Sequence, residues 1–191
     1  MLWVMSQGST SKSTPVAVRP ATPADVLAIL RFIAELAEYE RAPEQAVATE
    51  ADLLRDLFGA GYGKGPVCEA LMAETVRTDA ASGQPARQAI GFALFFTNYS
   101  TWQGRSGIYL EDLYVTPAAR GLGAGKALLT EIAKVAQSRG CGRIDWNVLD
   151  WNEPALAFYR SIGAAALTEW TIHRLTAPNF GTLLEPAPTR I

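Results

Sequence analysis

An apolar run at residues 110–115 is followed by Arg120-Gly-Leu-Gly-Ala-Gly125 and then by apolar residues at helical spacing from Leu128 to Val135. This succession of strand, glycine loop and helix constrains the fold more than any other feature of the chain. It predicts a βα unit whose loop gathers the backbone amides of residues 121–126 at a helix N-terminus. Glycines remove the side chains that would hold a ligand off the backbone, and exposed N–H groups with the positive end of the helix dipole favour an anion. The pattern reads as a diphosphate cradle; the plainer alternative is a helix entry with flexible glycines.

Three phosphate-binding patterns compete for this loop. A P-loop places Gly five residues before its Gly-Lys pair and a hydroxyl directly after it, where this chain has Arg120 and Ala127. A dinucleotide fingerprint wants its third glycine where Lys126 stands, and wants the first strand of a domain. What remains is Arg-x-x-Gly-x-Gly, with Arg120, Gly123 and Gly125 at its fixed positions.

With 191 residues and 49% apolar content, the chain can bury one good core and is read as one domain. A formal net charge of -2 offers no broad basic surface, which disfavours nucleic acid as a partner and tolerates a cationic substrate. Cys68 and Cys141 are too few for a disulfide framework and read as buried free thiols of a reducing cytosol. His173 makes no metal site with them at any familiar spacing, so no metal is expected, and it reads as a structural or surface residue. The apolar start, residues 1–5, is short and lacks a basic flank, so neither a signal peptide nor a membrane span is expected. Residues 1–14 are expected to be a disordered leader, 15–176 the folded domain, and 177–191 an irregular tail broken by Pro178, Pro186, Pro188 and Gly181.

Between the ends, strand and helix signals alternate. Residues 16–19 form a short strand, and Thr22-Pro-Ala-Asp25 supplies a cap, a proline at the first helical position and an acid three residues on. Helix one follows with Val26, Ile29, Leu30, Ile33 and Leu36 or Ala37 on its apolar face, leaving Asp25, Arg31, Glu35 and Glu38 toward water. Thr49-Glu-Ala-Asp52 caps a shorter helix that ends at Gly59. Residues 67–75 and 89–97 are strands around an exposed hairpin loop, 77–88. Residues 108–115 are a strand, the next helix buries Leu128, Leu129, Ile132, Val135 and Ala136, and Gly140 stops it. Residues 143–149 are a strand, Asn152-Glu-Pro154 opens a helix ended by Gly163, and residues 165–175 are the last strand. The predicted order is β-α-α-β-β-β-α-β-α-β, an α/β fold with a mixed central sheet.

The block Tyr109-Leu-Glu-Asp-Leu-Tyr-Val115, the loop Arg120–Gly125, Val148-Leu-Asp-Trp-Asn-Glu-Pro154 and Phe158-Tyr159 before Gly163-Ala164 together resemble the diamine acetyltransferases, the spermidine/spermine branch of the GNAT family. Arg19-Pro-Ala-Thr22 and Glu35-Leu-Ala-Glu-Tyr-Glu40 resemble that branch's first strand and helix, so the likeness spans residues 17–175. Tyr99-Ser-Thr-Trp102 and Val148-Leu-Asp-Trp151 look more like the members that acetylate thialysine. The polyamine enzyme is acidic where Ser100 stands. The resemblance implies the GNAT acyl-CoA acyltransferase fold, acetyl-CoA as cosubstrate without a metal, a small amine acceptor, a cytoplasmic location and a homodimer in which one subunit contributes to its partner's acceptor site.

Acetyl transfer from a thioester needs a neutral amine, whereas alkyl ammonium groups near pKa ~10 are mostly protonated at neutral pH, so a base is required. Glu111 lies inside an apolar strand, where desolvation is expected to raise its carboxyl toward a useful range. The resemblance puts the family's base at this residue, acting directly or through water; a structural carboxylate is the alternative. Asp112 is expected on the opposite strand face, in a structural or supporting role. Preorganised backbone donors would stabilise the charge that develops on the thioester oxygen, and the family takes them from the strand end, here Leu113, Tyr114 and Val115. By the same resemblance Tyr159 protonates the departing thiolate, against the alternative that it simply packs.

Cosubstrate contacts are expected from Leu113, Tyr114, Val115, Arg120, Gly121, Leu122, Gly123, Ala124, Gly125 and Lys126, and from Asn152, Pro154, Ala155 and Tyr159 on the next helix. Asn152 also has a cap to make. Acceptor candidates are Tyr39, Glu40, Trp102, Glu111 and Asp112, because aromatic faces and carboxylates recognise ammonium groups. Acetylation of a protein or peptide amine, and a non-catalytic acyl-CoA sensor, are the alternative functions.

Overall fold

The computed structural model describes residues 16–59, 65–78 and 83–184. The chain divides into two compact units, Met1–Asn147 and Val148–Ile191. The first holds a five-stranded sheet in the order β1-β2-β3-β4-β5, formed by Val16–Pro20, Glu69–Thr78, Pro85–Ser100, Arg105–Val115 and Ile144–Trp146. The first three pairings are antiparallel and β4 with β5 is parallel, the mixed sheet expected of the fold.

Helix α1, Val26–Tyr39, packs on one sheet face through Val26, Ile29 and Phe32. Phe32 is fully buried, stacking on Phe92 with centroids 5.9 Å apart and tilting against Tyr114 at 5.8 Å. The expected apolar face omitted Phe32, while Leu30, Ile33 and Leu36 are only partly buried beside it. Helix α3, Ala124–Ser138, brings Leu128, Leu129, Ile132 and Ala136 into the core, with Val135 half-buried. It ends at Gly140, whose φ of 66° permits the Cys141 amide to bond Ala136 O at 2.9 Å.

The N-terminus of α1 departs from expectation at Asp25, which is buried rather than turned to water. Its carboxylate accepts from the Thr22 amide and hydroxyl, each at 2.8 Å, and from Arg19 at 2.7 and 2.8 Å. Arg19 also reaches buried Glu74 at 2.6 Å, so one guanidinium joins β1, β2 and the start of α1. These partners, Arg19 first, hold the Asp25 carboxyl down to about 2. Helix α2, Glu50–Leu53, is capped by Thr49 as its sequence predicts; its chain continues as a wider turn, Leu54–Phe58, to Gly59.

Two strand boundaries change. At both ends of the predicted loop 77–88 the ladder continues, over residues 77–78 and 85–88, with Arg77 paired to Ala86 and Thr78 to Pro85. Antiparallel pairing propagates past the apolar pattern because exposed polar residues do not interrupt the backbone ladder. In contrast, the strand expected at 143–149 pairs only over Ile144–Trp146.

In the second unit Asn152 caps α4, Glu153–Ser161, its side-chain oxygen accepting from the Ala155 amide at 3.3 Å. The predicted last strand, 165–175, is not formed: these residues make no ladder among the described residues. Apolar residues do not make a strand without an edge to pair with, and Leu167, Trp170 and Ile172 are exposed. The start of the expected irregular tail is helical instead, as a turn at Ala177–Asn179 and a short α5, Gly181–Leu184. Proline at the start of that turn loses no helical hydrogen bond. The expected leader and residues 185–191 lie outside the described residues.

Candidate active site

The site is built on an irregularity of β4. Across the β3–β4 ladder Leu94 faces Asp112 and Phe95 faces Leu110, so Glu111 is an extra residue with no partner opposite it. A bulge of this kind bends a strand and re-aims its side chains. Glu111 is accordingly exposed, although Leu110 and Tyr114 on either side are buried. This corrects the expectation that strand burial would desolvate Glu111. Desolvation falls on Asp112, which pairs with Leu94 of the α1-side core, and burial pushes its carboxyl up to about 6, helped by the charges of Glu111 and Glu40. Partial burial also raises the carboxyl of Glu40, the residue after α1. Glu40, Glu111 and Asp112 therefore gather into one acidic cluster.

The same strand has an open edge. Its pairing with β5 covers only Ile108–Leu110, so residues 111–115 have no strand partner on that side among the described residues. The backbone of Leu113, Tyr114 and Val115 lies on this stretch. The Tyr114 side chain is committed to the core, and its hydroxyl donates to Glu35 at 2.9 Å. Burial, then this carboxylate, push its hydroxyl up to about 12. Tyr114 can therefore serve a ligand only through its backbone.

After β4 the chain makes a turn at Pro117–Ala119 and enters the glycine loop. Gly121 and Gly123 have φ of 82° and 85°, conformations an L side chain rarely adopts, and open space lies where their Cβ atoms would be. Gly123 caps α3 with no side chain accepting from the first turn. The first backbone bond of that turn runs from Ala127 N to Gly123 O, which leaves the amides of Ala124, Gly125 and Lys126 ahead of the helical ladder. Leu122 is a partial exception to the expected cradle, its amide donating to Ala119 O at 3.4 Å. Unpaired first-turn amides and the positive helix end suit the charge of a diphosphate.

Arg120 is anchored at both sides of the loop. Its Nε donates to Val115 O at 3.3 Å, and its guanidinium carbon lies 4.9 Å from the Tyr39 ring centroid. Neither contact has a signature in the sequence.

Among the acceptor candidates Trp102 stands apart. It lies in the β3–β4 turn, 87% exposed. The run of β4 from Arg105 to Glu111 spans about 20 Å at roughly 3.3 Å per residue. Trp102 therefore does not join the acidic cluster of its own chain. Near that end of the sheet a polar network was not anticipated: Asn98 donates to Asp145 at 3.1 Å, Arg143 pairs with Asp145 at 2.7 Å, and Arg143 donates to buried Ser100 at 3.1 Å. A cavity of about 220 Å³, lined by Arg31, Glu35, Arg77 and Thr116 among others, contains none of the acidic cluster.

In the second unit Tyr159 is half-buried on α4, its ring 5.4 Å from that of Phe158. Asn152 uses its oxygen as the helix cap, and Pro154 and Ala155 form the first turn.

Residues 69–164 match the Acetyltransferase (GNAT) family. The chain is 41% identical over 155 residues to the thialysine N-epsilon-acetyltransferase of Bos taurus, covering 81% of this chain and 86% of that protein. It is 33% identical to the L-ornithine N5-acetyltransferase NATA1 of Arabidopsis thaliana, with 83% of each chain covered. Among solved structures, an integron cassette protein from the mobile metagenome of V. cholerae superposes with a TM-score of 0.67 at 24% identity, covering 90% of this chain and 98% of that one. A bulged β4 leading into an Arg-x-x-Gly-x-Gly loop and these likenesses agree: the chain belongs to the GNAT family and is an acetyltransferase.

Proposed function

We propose that this enzyme transfers the acetyl group of acetyl-CoA to a primary amine of a small cationic acceptor, of the thialysine, lysine or ornithine kind. The observation that carries this reading is the acidic cluster of Glu40, Glu111 and Asp112 on a strand whose open edge leads into the glycine loop. The relatives named for thialysine and L-ornithine support the choice of acceptor, since both compounds carry a primary amine on a flexible stem.

In this reading the amides of Gly121 and of 123–126 hold the diphosphate, and the backbone of Leu113, Tyr114 and Val115 donates to the acyl oxygen as it gains charge. Acetyl-CoA supplies an activated thioester. Asp112, ionised above about pH 6, and Glu40 hold the cationic amine. Glu111, left in water by the bulge, takes the ammonium proton directly or through a water. As the C–N bond forms and the C–S bond breaks, the electron pair leaves on sulfur; the nitrogen sheds its second proton to water, and Tyr159 protonates the thiolate and recovers its own proton from water, leaving a neutral amide and a thiol.

Ser100 is engaged by Arg143 rather than supplying an anionic contact, so a long polyamine is expected to be the poorer acceptor. The test is acetyl transfer to thialysine, lysine, ornithine, putrescine, spermidine and a lysine-containing peptide. Fastest turnover on the amino acids supports the reading. Turnover confined to the peptide, or none on any amine, overturns it.

A further inference from the structure

We propose that Tyr39 is a positioning residue for the glycine loop, serving the nucleotide by holding Arg120 rather than serving the amine. The proposal rests on the function set out above. Three segments meet at the Arg120 side chain: the loop that it opens, the end of β4 through Val115 O at 3.3 Å, and the last residue of α1 through the Tyr39 ring at 4.9 Å. A ring face covered by a guanidinium does not offer that face to a substrate ammonium. Contact with the Val115 carbonyl on one side and the Tyr39 ring on the other restricts the guanidinium, which lowers the ordering cost at the loop when a diphosphate arrives. A lysine ammonium in its place lacks the fork that makes both contacts at once.

Tyr39 and Glu40, adjacent in sequence, thus take different ligands. Glu40 belongs with Asp112 and the amine. Tyr39 belongs with Arg120 and the nucleotide.

The test is calorimetric titration with coenzyme A, together with KM for acetyl-CoA and for the best amine, in the wild type, Tyr39→Phe, Tyr39→Leu and Tyr39→Met. An exposed cation–π contact corresponds to about a two- to five-fold change in affinity. Tyr39→Leu and Tyr39→Met are expected to weaken coenzyme A binding and raise KM for acetyl-CoA by that factor, with the amine KM unchanged. Tyr39→Phe retains the ring and is expected to match the wild type. Raised amine KM with unchanged coenzyme A affinity in the Leu and Met variants overturns the proposal. Arg120→Lys, on the surface, keeps the charge without the guanidinium fork; it is expected to lose affinity by a similar factor and remains available if the Tyr39 variants do not fold. Wild-type affinity in Arg120→Lys also overturns the proposal. If the wild type itself gives no heat with coenzyme A, it is the underlying function that fails.

Discussion

The Tyr114 hydroxyl donates to Glu35 at 2.9 Å, joining the bulged strand to the helix that ends beside the acidic cluster. Because this ring is buried among Phe32 and its neighbours, Tyr114→Phe keeps the packing and removes one hydrogen bond to a charged group. The expected loss is about 1.5 kcal/mol of unfolding free energy, measured by urea denaturation. Coenzyme A affinity is expected to stay unchanged, since the side chain faces the core.

Asp112 gives a pH signature of opposite sign to an ordinary paired carboxylate. Folded, it keeps its proton up to about pH 6; unfolded, it loses it near 3.8. The folded state binds more protons between those values, so stability falls as pH rises through the window. Asp112→Asn is expected to remove that fall and to be more stable than the wild type at pH 7, by on the order of 2 kcal/mol. Its amine KM is expected to be raised and to lose the part of its pH dependence that Asp112 sets. The wild-type amine KM is expected to rise as pH drops below about 6, with Glu111 and Glu40 the other charged groups of the cluster. Thermal unfolding from pH 4 to 8 and steady-state kinetics check both.

Asp25 runs the other way. Its carboxyl, held at about 2 by Arg19 and Thr22, stabilises the fold above the unfolded value of 3.8, and that contribution disappears as pH falls through 2. Asp25→Asn is expected to cost about 2 kcal/mol at pH 7, with the difference from wild type shrinking below pH 4, measured by urea titration at several pH values.

For Glu111, replacement by Gln is expected to depress turnover most near neutral pH and to recover at higher pH, where free amine accumulates. A pH profile parallel to the wild type would remove Glu111 as the base. Tyr159→Phe is expected to slow turnover with little change in coenzyme A affinity, and unchanged turnover would return Tyr159 to a packing role.

Features set by local chemistry were legible in the sequence. The caps at Thr49 and Asn152, the stop at Gly140 and the Arg120–Gly125 loop each rest on a few neighbouring residues, and the structure has them there. Features set by pairing were not. The bulge at Glu111 depends on the register between β3 and β4, which no residue on β4 announces, so sequence pattern alone puts the desolvated carboxyl one position early. Asp25 carries a cap signature, yet its burial comes from Arg19 and Glu74 on two strands. Trp102 lies close to Glu111 in sequence, but an extended strand turns those few residues into distance. Residues 165–175 alternate like a strand, while a ladder needs a second edge that periodicity does not supply.

The whole reaction depends on the proposed grip of the glycine-loop amides on the diphosphate of coenzyme A. Isothermal titration of the wild type and of Gly123→Val measures it directly. Gly123 has φ of 85°, where a β-branched side chain is strained. Saturable binding at one molecule per chain in the wild type, weakened at least about tenfold in Gly123→Val, is the predicted result. No heat with coenzyme A in folded wild-type protein, or equal affinity in the two, rules out the glycine loop as the diphosphate site.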